Sequence, residues 1–254
     1  MTYENILFEQ TDGVAIITLH RPKVLNALSM PLTMELDDAI TRCEEEDDVK
    51  AIIVTGAGEK AFSAGADIHE MAELSQEELE QRGKQRGAAT WHMATCRKPV
   101  IGALNGLAYG GGAMLASTFD IRIGCERTRF RFLAATYGRI NSTWTLSAII
   151  GMPMAKELLY TGRVVEAQEA KEISLLNRLV PSSDLLSTAL ELGKMIAQNT
   201  PSMVQGIKEL LNEGLGRTWA ERLDMERDIL SGRLKPSHPQ EGFREFLDRK
   251  GRKR

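Results

Sequence analysis

Four short apolar runs, each separated from its neighbours by a segment long enough for a helix, constrain the fold of this chain more than any other feature. Residues 14–19 (Val-Ala-Ile-Ile-Thr-Leu), 51–55 (Ala-Ile-Ile-Val-Thr), 100–104 (Val-Ile-Gly-Ala-Leu) and 121–124 (Ile-Arg-Ile-Gly) read as strands. Residues 6–10 precede an Asp12-Gly13 turn and make a hairpin partner for 14–19. Residues 31–46 set Leu32, Met34, Leu36 and Ile40 at helical spacing, with an acidic outer face. Strands separated by helices require crossover connections and a largely parallel arrangement. Beyond about Val180 no comparable strand run occurs, and 185–198, 201–215 and 219–230 read as helices, with Pro201 well placed at a helix start. The fold class is therefore α/β, with a strand-rich core over 1–180 and a helical region over 181–254. The Gln/Glu/Arg-rich stretch 73–87 reads as a mobile segment, and the basic stretch 248–254 as a frayed tail.

Charge and cysteine usage exclude several functions. The 254 residues carry 32 Lys+Arg against 35 Asp+Glu, a net charge of −3, which gives no global attraction to nucleic acid or to an anionic membrane. No apolar run reaches the roughly 20 residues of a membrane span. The opening Met-Thr-Tyr-Glu-Asn does not read as a signal peptide. Cys43, Cys96 and Cys125 lie far apart with no CxxC, as expected of reduced thiols in a cytoplasmic or organelle-matrix protein. His92 and Cys96 stand four apart on one helix face, but two ligands without further partners make a weak site, and no metal is expected.

Two glycine-bearing segments follow predicted strands directly. Residues 61–68 (Ala-Phe-Ser-Ala-Gly-Ala-Asp-Ile) come after 51–55, and residues 105–114 (Asn-Gly-Leu-Ala-Tyr-Gly-Gly-Gly-Ala-Met) come after 100–104. Consecutive glycines cost backbone entropy and suit a place where main chain must approach a ligand. Here they open an apolar helix, whose first N–H groups have no partner within the helix. Such donors, aimed at one point, stabilise negative charge developing on a carbonyl oxygen. The alternative use of the glycines is tight helix–strand packing alone. Neither segment is a GxGxxG fingerprint or a GxxxxGK[ST] phosphate loop.

The ordered set Arg21-Pro-Lys-Val-Leu-Asn-Ala27, Ala61-Phe-Ser-Ala-Gly-Ala-Asp67, Lys98-Pro-Val-Ile, Asn105-Gly and Gly110-Gly-Gly112 resembles the crotonase (enoyl-CoA hydratase/isomerase) superfamily. Later markers agree: 155–162 (Ala-Lys-Glu-Leu-Leu-Tyr-Thr-Gly), 167–170 and 175–180. The resemblance spans residues 5–248. It implies a crotonase-like ββα spiral core, a C-terminal helical trimerisation region, and a homotrimer or homohexamer. It implies an acyl-CoA thioester as ligand, with coenzyme A entering as part of the substrate and no separate cofactor. The family's two oxyanion donors carry over to the N–H groups of Ala66 and Gly111. The CoA moiety is expected along Lys23, Val24, Ala64, Asp67 and Ile68, with Arg21 and Lys23 able to meet its phosphates and Asp67 bracing the loop.

The chain departs from the family's hydratases at two positions. The resemblance places glutamates where this chain has Met114 and Ala134, and neither Met nor Ala can take a proton or orient a water. No Asp or Glu lies between Arg127 and Lys156 to replace them. Tyr137, His69 and His92 remain as acid/base candidates, each set against a packing or surface role. Arg139, Asn141, Ser142, Thr143 and Trp144 are the other polar or aromatic groups of this region. Trp91, Met93 and Met114 are expected to make an apolar, roomy acyl pocket, with Met114, Ala134 and Trp144 as substrate-binding positions. Three functions follow: an enzyme that stabilises a thioester enolate or oxyanion with backbone N–H groups; an acyl-CoA-binding protein with little or no catalysis; and an enoyl-CoA hydratase that draws its acids from elsewhere.

Overall fold

A computed structural model describes residues 3–244 and 247–248, so residues 249–254 of the basic tail lie outside the described residues. The chain runs β1 (Ile6–Thr11), β2 (Val14–Leu19), α1 (Met30–Glu45), β3 (Ala51–Gly56), β4 (Ala61–Ser63), α2 (Ile68–Ala72) and α3 (Gln76–Thr95). It continues through β5 (Val100–Leu104), β6 (Leu107–Tyr109), α4 (Gly111–Ala116), β7 (Ile121–Gly124), β8 (Arg129–Arg131), α5 (Thr143–Ile150) and α6 (Met152–Thr161). Then come β9 (Val164–Glu166), α7 (Ala167–Glu172), β10 (Arg178–Leu179) and α8 (Leu185–Ala197). These elements fall within one compact unit, Met1–Gln198. A second unit, Asn199–Arg254, contains α9 (Pro201–Glu213), α10 (Trp219–Ser231) and the short α11 (Pro239–Gly242).

The strands of the first unit are dealt alternately into two sheets. One has the order β1-β2-β3-β5-β7-β10, and the other β4-β6-β8-β9. The pairs β3/β4, β5/β6 and β7/β8 each send their first strand to the larger sheet and their second to the smaller, and each pair is followed by helix. This is the ββα spiral expected from the sequence. The pairings among β2, β3, β5 and β7 are all parallel, and β1 joins β2 as an antiparallel hairpin through Asp12 and Gly13.

The central strands β2, β3, β5 and β7 of the larger sheet are buried on both faces, which is why they read as continuous apolar runs and not as alternating ones. Ile52, Val54, Ala15, Ile17, Val100 and Leu104 point into the main core beneath α1. Ile53, Val14, Ile16, Ile101 and Ala103 point the other way, onto Leu185 and Ala189 of α8. Because α8 covers that second face, the first compact unit extends to Gln198, one helix beyond the division expected at residue 180.

Two local expectations are corrected. The stretch 73–87 is not an open segment. From Gln76 it belongs to the 20-residue helix α3, started by a capping box in which Ser75 Oγ accepts from Glu78 N and Glu78 returns a bond to Ser75 N. Its Gln/Glu/Arg content is that of a helix with a solvated face. In α1, Leu32, Leu36 and Ile40 are buried at four-residue spacing, whereas Met34 is exposed on the other side. The strands of the smaller sheet escape sequence reading, being three residues long, too short for any periodicity.

Candidate functional site

The geometry of the site begins with two buried asparagines. Asn26 is held in left-handed backbone conformation (φ 53°), and its side-chain Nδ2 donates to Ala57 O at 3.0 Å and to Ala61 O at 2.9 Å. Asn105 Nδ2 donates to Gly58 O at 2.7 Å and to the same Ala61 O at 3.1 Å, while its Oδ1 accepts from Gly56 N. Both motif asparagines therefore clamp the turn between β3 and β4. Ser63 Oγ extends the clamp, donating to Asn26 O at 2.8 Å and accepting from Gly65 N at 3.1 Å.

Beyond this clamp the chain bends at Gly65, whose φ of 97° suits glycine. Leu28 N donates to Gly65 O at 2.7 Å and Asp67 N donates to Leu28 O at 3.3 Å, bracketing Ala66 in a single parallel bridge. In extended backbone successive N–H groups alternate in direction, so the Ala66 N–H faces away from Leu28. Ala66 N lies beside the start of α4. There Gly112 lies so close to β4 that a Cβ would fall 2.3 Å from Ser63 O. A Cβ on Gly111 would fall 3.2 Å from Ala66 N. As the first residue of α4, Gly111 has no carbonyl one turn earlier within the helix to receive its N–H.

Ala66 and Gly111 line one end of a cleft of about 80 Å³ between α1 and α3. Leu36 and Ile40 of α1, Met93 of α3, and Met114 and Leu115 of α4 make its wall apolar. Two charged groups enter that wall, Asp37 from α1 and Arg86 from α3. Two main-chain donors beside an apolar cleft are able to bind a carbonyl oxygen and stabilise charge on it.

The sequence-derived site residues divide clearly. Ala66, Gly111, Met93 and Met114 come together at the cleft. Asp67 braces the loop: it caps α2 by accepting from Glu70 N, and its carboxylate pairs with Arg21 Nη1 at 2.9 Å. Burial raises its pKa, but the Arg21 and backbone hydrogen bonds outweigh this and hold it below the usual range. Arg21 is the matching partner. Its Nη1 donates to Asp67 and to Ala27 O, which makes it a buttress of the loop as well as a basic group beside it. Lys23, Val24 and Ile68 are exposed and Ala64 is partly so, all outside the cleft lining.

Several expectations fail on position. His69 is exposed on α2, and Tyr137 is 70% exposed; neither lines the cleft. Trp91 and Trp144 pack on each other at 5.8 Å between ring centroids, both largely exposed, so they form a surface pair and not a pocket wall. Ala134 is buried outside the lining. Arg139 and Thr143 are exposed, and Ser142 is buried with φ 59°. His92 faces α1: Nδ1 lies 2.7 Å from Asp37 Oδ1 and Nε2 3.0 Å from Glu44 Oε2. It reaches the cleft only through Asp37. Among the described residues no group of three or more His, Cys, Asp or Glu is placed to hold a metal ion, and no helix is long and apolar enough to cross a membrane.

Asp37 and Arg86 are the cleft residues that sequence reading missed. The usable signal was helical spacing. Thr33, Leu36, Asp37 and Ile40 share one face of α1, and Arg86, Ala89, Thr90 and Met93 repeat the same i, i+3, i+4, i+7 pattern on α3.

The model of the enoyl-CoA hydratase/isomerase family matches residues 9–253. The chain is 40% identical over 219 residues to the short-chain-enoyl-CoA hydratase of Clostridium acetobutylicum, covering 85% of this chain and 84% of that one. It is 34% identical to the crotonyl-CoA hydratase of Syntrophomonas wolfei, covering 98% and 97%. The crystal structure of an enoyl-CoA hydratase from Bacillus anthracis superposes with a TM-score of 0.92 at 35% identity, over 97% of each chain.

The bridge from His92 to Asp37 and Glu44 makes a pH prediction. Burial lowers the His92 pKa, but hydrogen bonds and charge from the two carboxylates outweigh it and raise it above the ordinary 6.5. A raised histidine pKa means that the bridge contributes fully below about pH 6.5 and is lost as pH rises through the folded-state value. His92→Gln should cost about 1–3 kcal/mol at pH 6 and less at pH 8. Thermal melts of both proteins across that range check this, and parallel pH profiles would refute the bridge.

Proposed function

The chain belongs to the enoyl-CoA hydratase/isomerase family of acyl-CoA enzymes, and from that premise we propose that it stabilises a thioester enolate or oxyanion with the N–H groups of Ala66 and Gly111. The observation that supports this reading is that Ala66 and Gly111 lie against each other and line the same apolar cleft. A thioester carbonyl placed there gains charge as its α-carbon loses a proton or a leaving group, or as a nucleophile attacks. Rate then comes from positioning and fixed dipoles. CoA lies outside the cleft along Lys23, Val24, Ala64 and Ile68, with Lys23 the basic group free to meet its phosphates. Met114 and Ala134 stand where the family resemblance places the hydratase glutamates, which disfavours ordinary hydration.

A second reading, an enoyl-CoA hydratase using another acid, is favoured by the names of the relatives and by one structural observation. Asp37, whose carboxylate is held by His92, lines the same cleft as Ala66 and Gly111. It is the group able to hold a water there if hydration occurs.

The exposed apolar side chains of the second unit support the expected trimer or hexamer. Ile207 and Leu211 lie one turn apart on α9 and are 59% and 69% exposed, and Trp219 at the start of α10 is 90% exposed. Covering such side chains is what a self-assembly surface does.

A mass-spectrometric screen over saturated, enoyl, dienoyl, cyclic and β-keto CoA thioesters should identify a substrate. Gly111→Pro should then lower kcat on it about 100-fold or more with the fold intact by circular dichroism; retained turnover would sink the oxyanion reading. With crotonyl-CoA, little loss of enoyl absorbance is expected. Rapid loss that disappears in Asp37→Asn would establish the hydratase reading instead. Light scattering should return three or six times the 28.2 kDa chain mass; a monomeric mass would refute the assembly.

A further inference from the structure

The wall of the cleft is mostly aliphatic, yet an arginine contributes to it. Arg86 lines the same cavity as Ala66 and Gly111. Its Nε is buried and makes no hydrogen bond, and its Nη2 reaches Glu70 Oε2 at 3.3 Å. Glu70 is better served by other donors. Arg82 forms a close ion pair with its Oε1, and Met30 N donates to its Oε2 at 2.9 Å. The next carboxylate, Asp67, is engaged by Arg21. Three guanidinium groups thus share the carboxylates of Glu70 and Asp67, the cavity's own carboxylate, Asp37, is engaged by His92, and the least satisfied cation is the arginine that lines the cavity. Burial, with Arg82 and Arg139 close enough to repel it, holds the Arg86 pKa below its ordinary value. A half-satisfied cation in an apolar wall is unfavourable until an anion completes it.

We propose that Arg86 reads a carboxylate on the acyl chain, so that the preferred substrates are CoA thioesters of dicarboxylic acids. This rests on the acyl-CoA reading above and adds a substrate class to it. The thioester carbonyl sits at Ala66 and Gly111, and the distal carboxylate meets the guanidinium, whose planar fork matches its two oxygens. The CoA phosphates are a less suitable partner, because Arg86 shares the cavity of the oxyanion donors while Lys23, Val24 and Ile68 lie exposed outside it.

Isothermal titration with malonyl-, succinyl- and glutaryl-CoA against butyryl-CoA and free CoA tests the proposal on the intact protein. The best of the three dicarboxylic thioesters should bind at least about tenfold more tightly than butyryl-CoA. Arg86→Met should bring the two within about twofold, while Arg86→Lys, which keeps the charge and loses the fork, should retain part of the preference. The wild-type comparison needs no variant, so a misfolded substitution does not remove the test. Butyryl-CoA binding without any preference for the dicarboxylic thioesters overturns the Arg86 assignment and leaves the acyl-CoA reading standing. Equal weakening of free CoA and every thioester in Arg86→Met assigns the arginine to a CoA phosphate and also overturns it. Failure of all the thioesters to bind overturns both readings.

Discussion

The carbonyl of Ala61 accepts hydrogen bonds from two buried asparagine side chains, and the arrangement of the cleft depends on that meeting. Asn26 comes from the turn before α1 and Asn105 from the end of β5, so one oxygen ties together parts of the chain far apart in sequence. A buried amide that loses such a partner is costly, because no water can replace it. The clamp sets the path of β4, β4 sets where Gly65 turns, and Gly112 packs directly on Ser63. Each step leaves little freedom for the next. The main chain at Ala66 and Gly111 is therefore positioned by the folded core.

The cleft itself is held at its two ends by different chemistry. At one end His92 joins α3 to Asp37 and Glu44 of α1. At the other, Glu70 of α2 receives Met30 N from the start of α1 and the guanidinium groups of Arg82 and Arg86 on α3. Between these polar ties the facing side chains are aliphatic. The spacing of the two helices, and with it the width available to an acyl group, follows from these ties as much as from packing.

Much of this was legible in the sequence, for identifiable reasons. The four strands buried on both faces announced themselves as apolar runs, and β2, β5 and β7 begin and end as expected. Gly65, Gly110, Gly111 and Gly112 marked the donor loops, because close main-chain approach demands such residues. The strands of the smaller sheet stayed hidden because three residues carry no period. Stretch 73–87 misled because a solvated helical face and an open segment have the same composition; only the Ser75–Glu78 cap distinguishes them. His92 and Trp144 were misplaced because spacing along a helix does not say which neighbour the helix packs against. Asp37 was missed because it falls in a helix read as having an acidic outer face, and Arg86 because 73–87 was read as a mobile segment, whereas the opposing helices α3 and α1 line one cleft.

The donors at the site are main-chain atoms, and this has a consequence for how such a protein changes over evolutionary time. No ordinary side-chain replacement at position 66 can remove the Ala66 N–H, and at position 111 the tight approach of Gly65 and Ala66 leaves little space for one. On the proposed reading, the means of stabilising charge is inherited with the fold, while the side chains around it are free to drift. Under that reading, replacing one residue in the wall of the cleft would alter which acid derivative is accepted without rebuilding the two main-chain donors. Divergence of activity on this scaffold is correspondingly short in mutational distance.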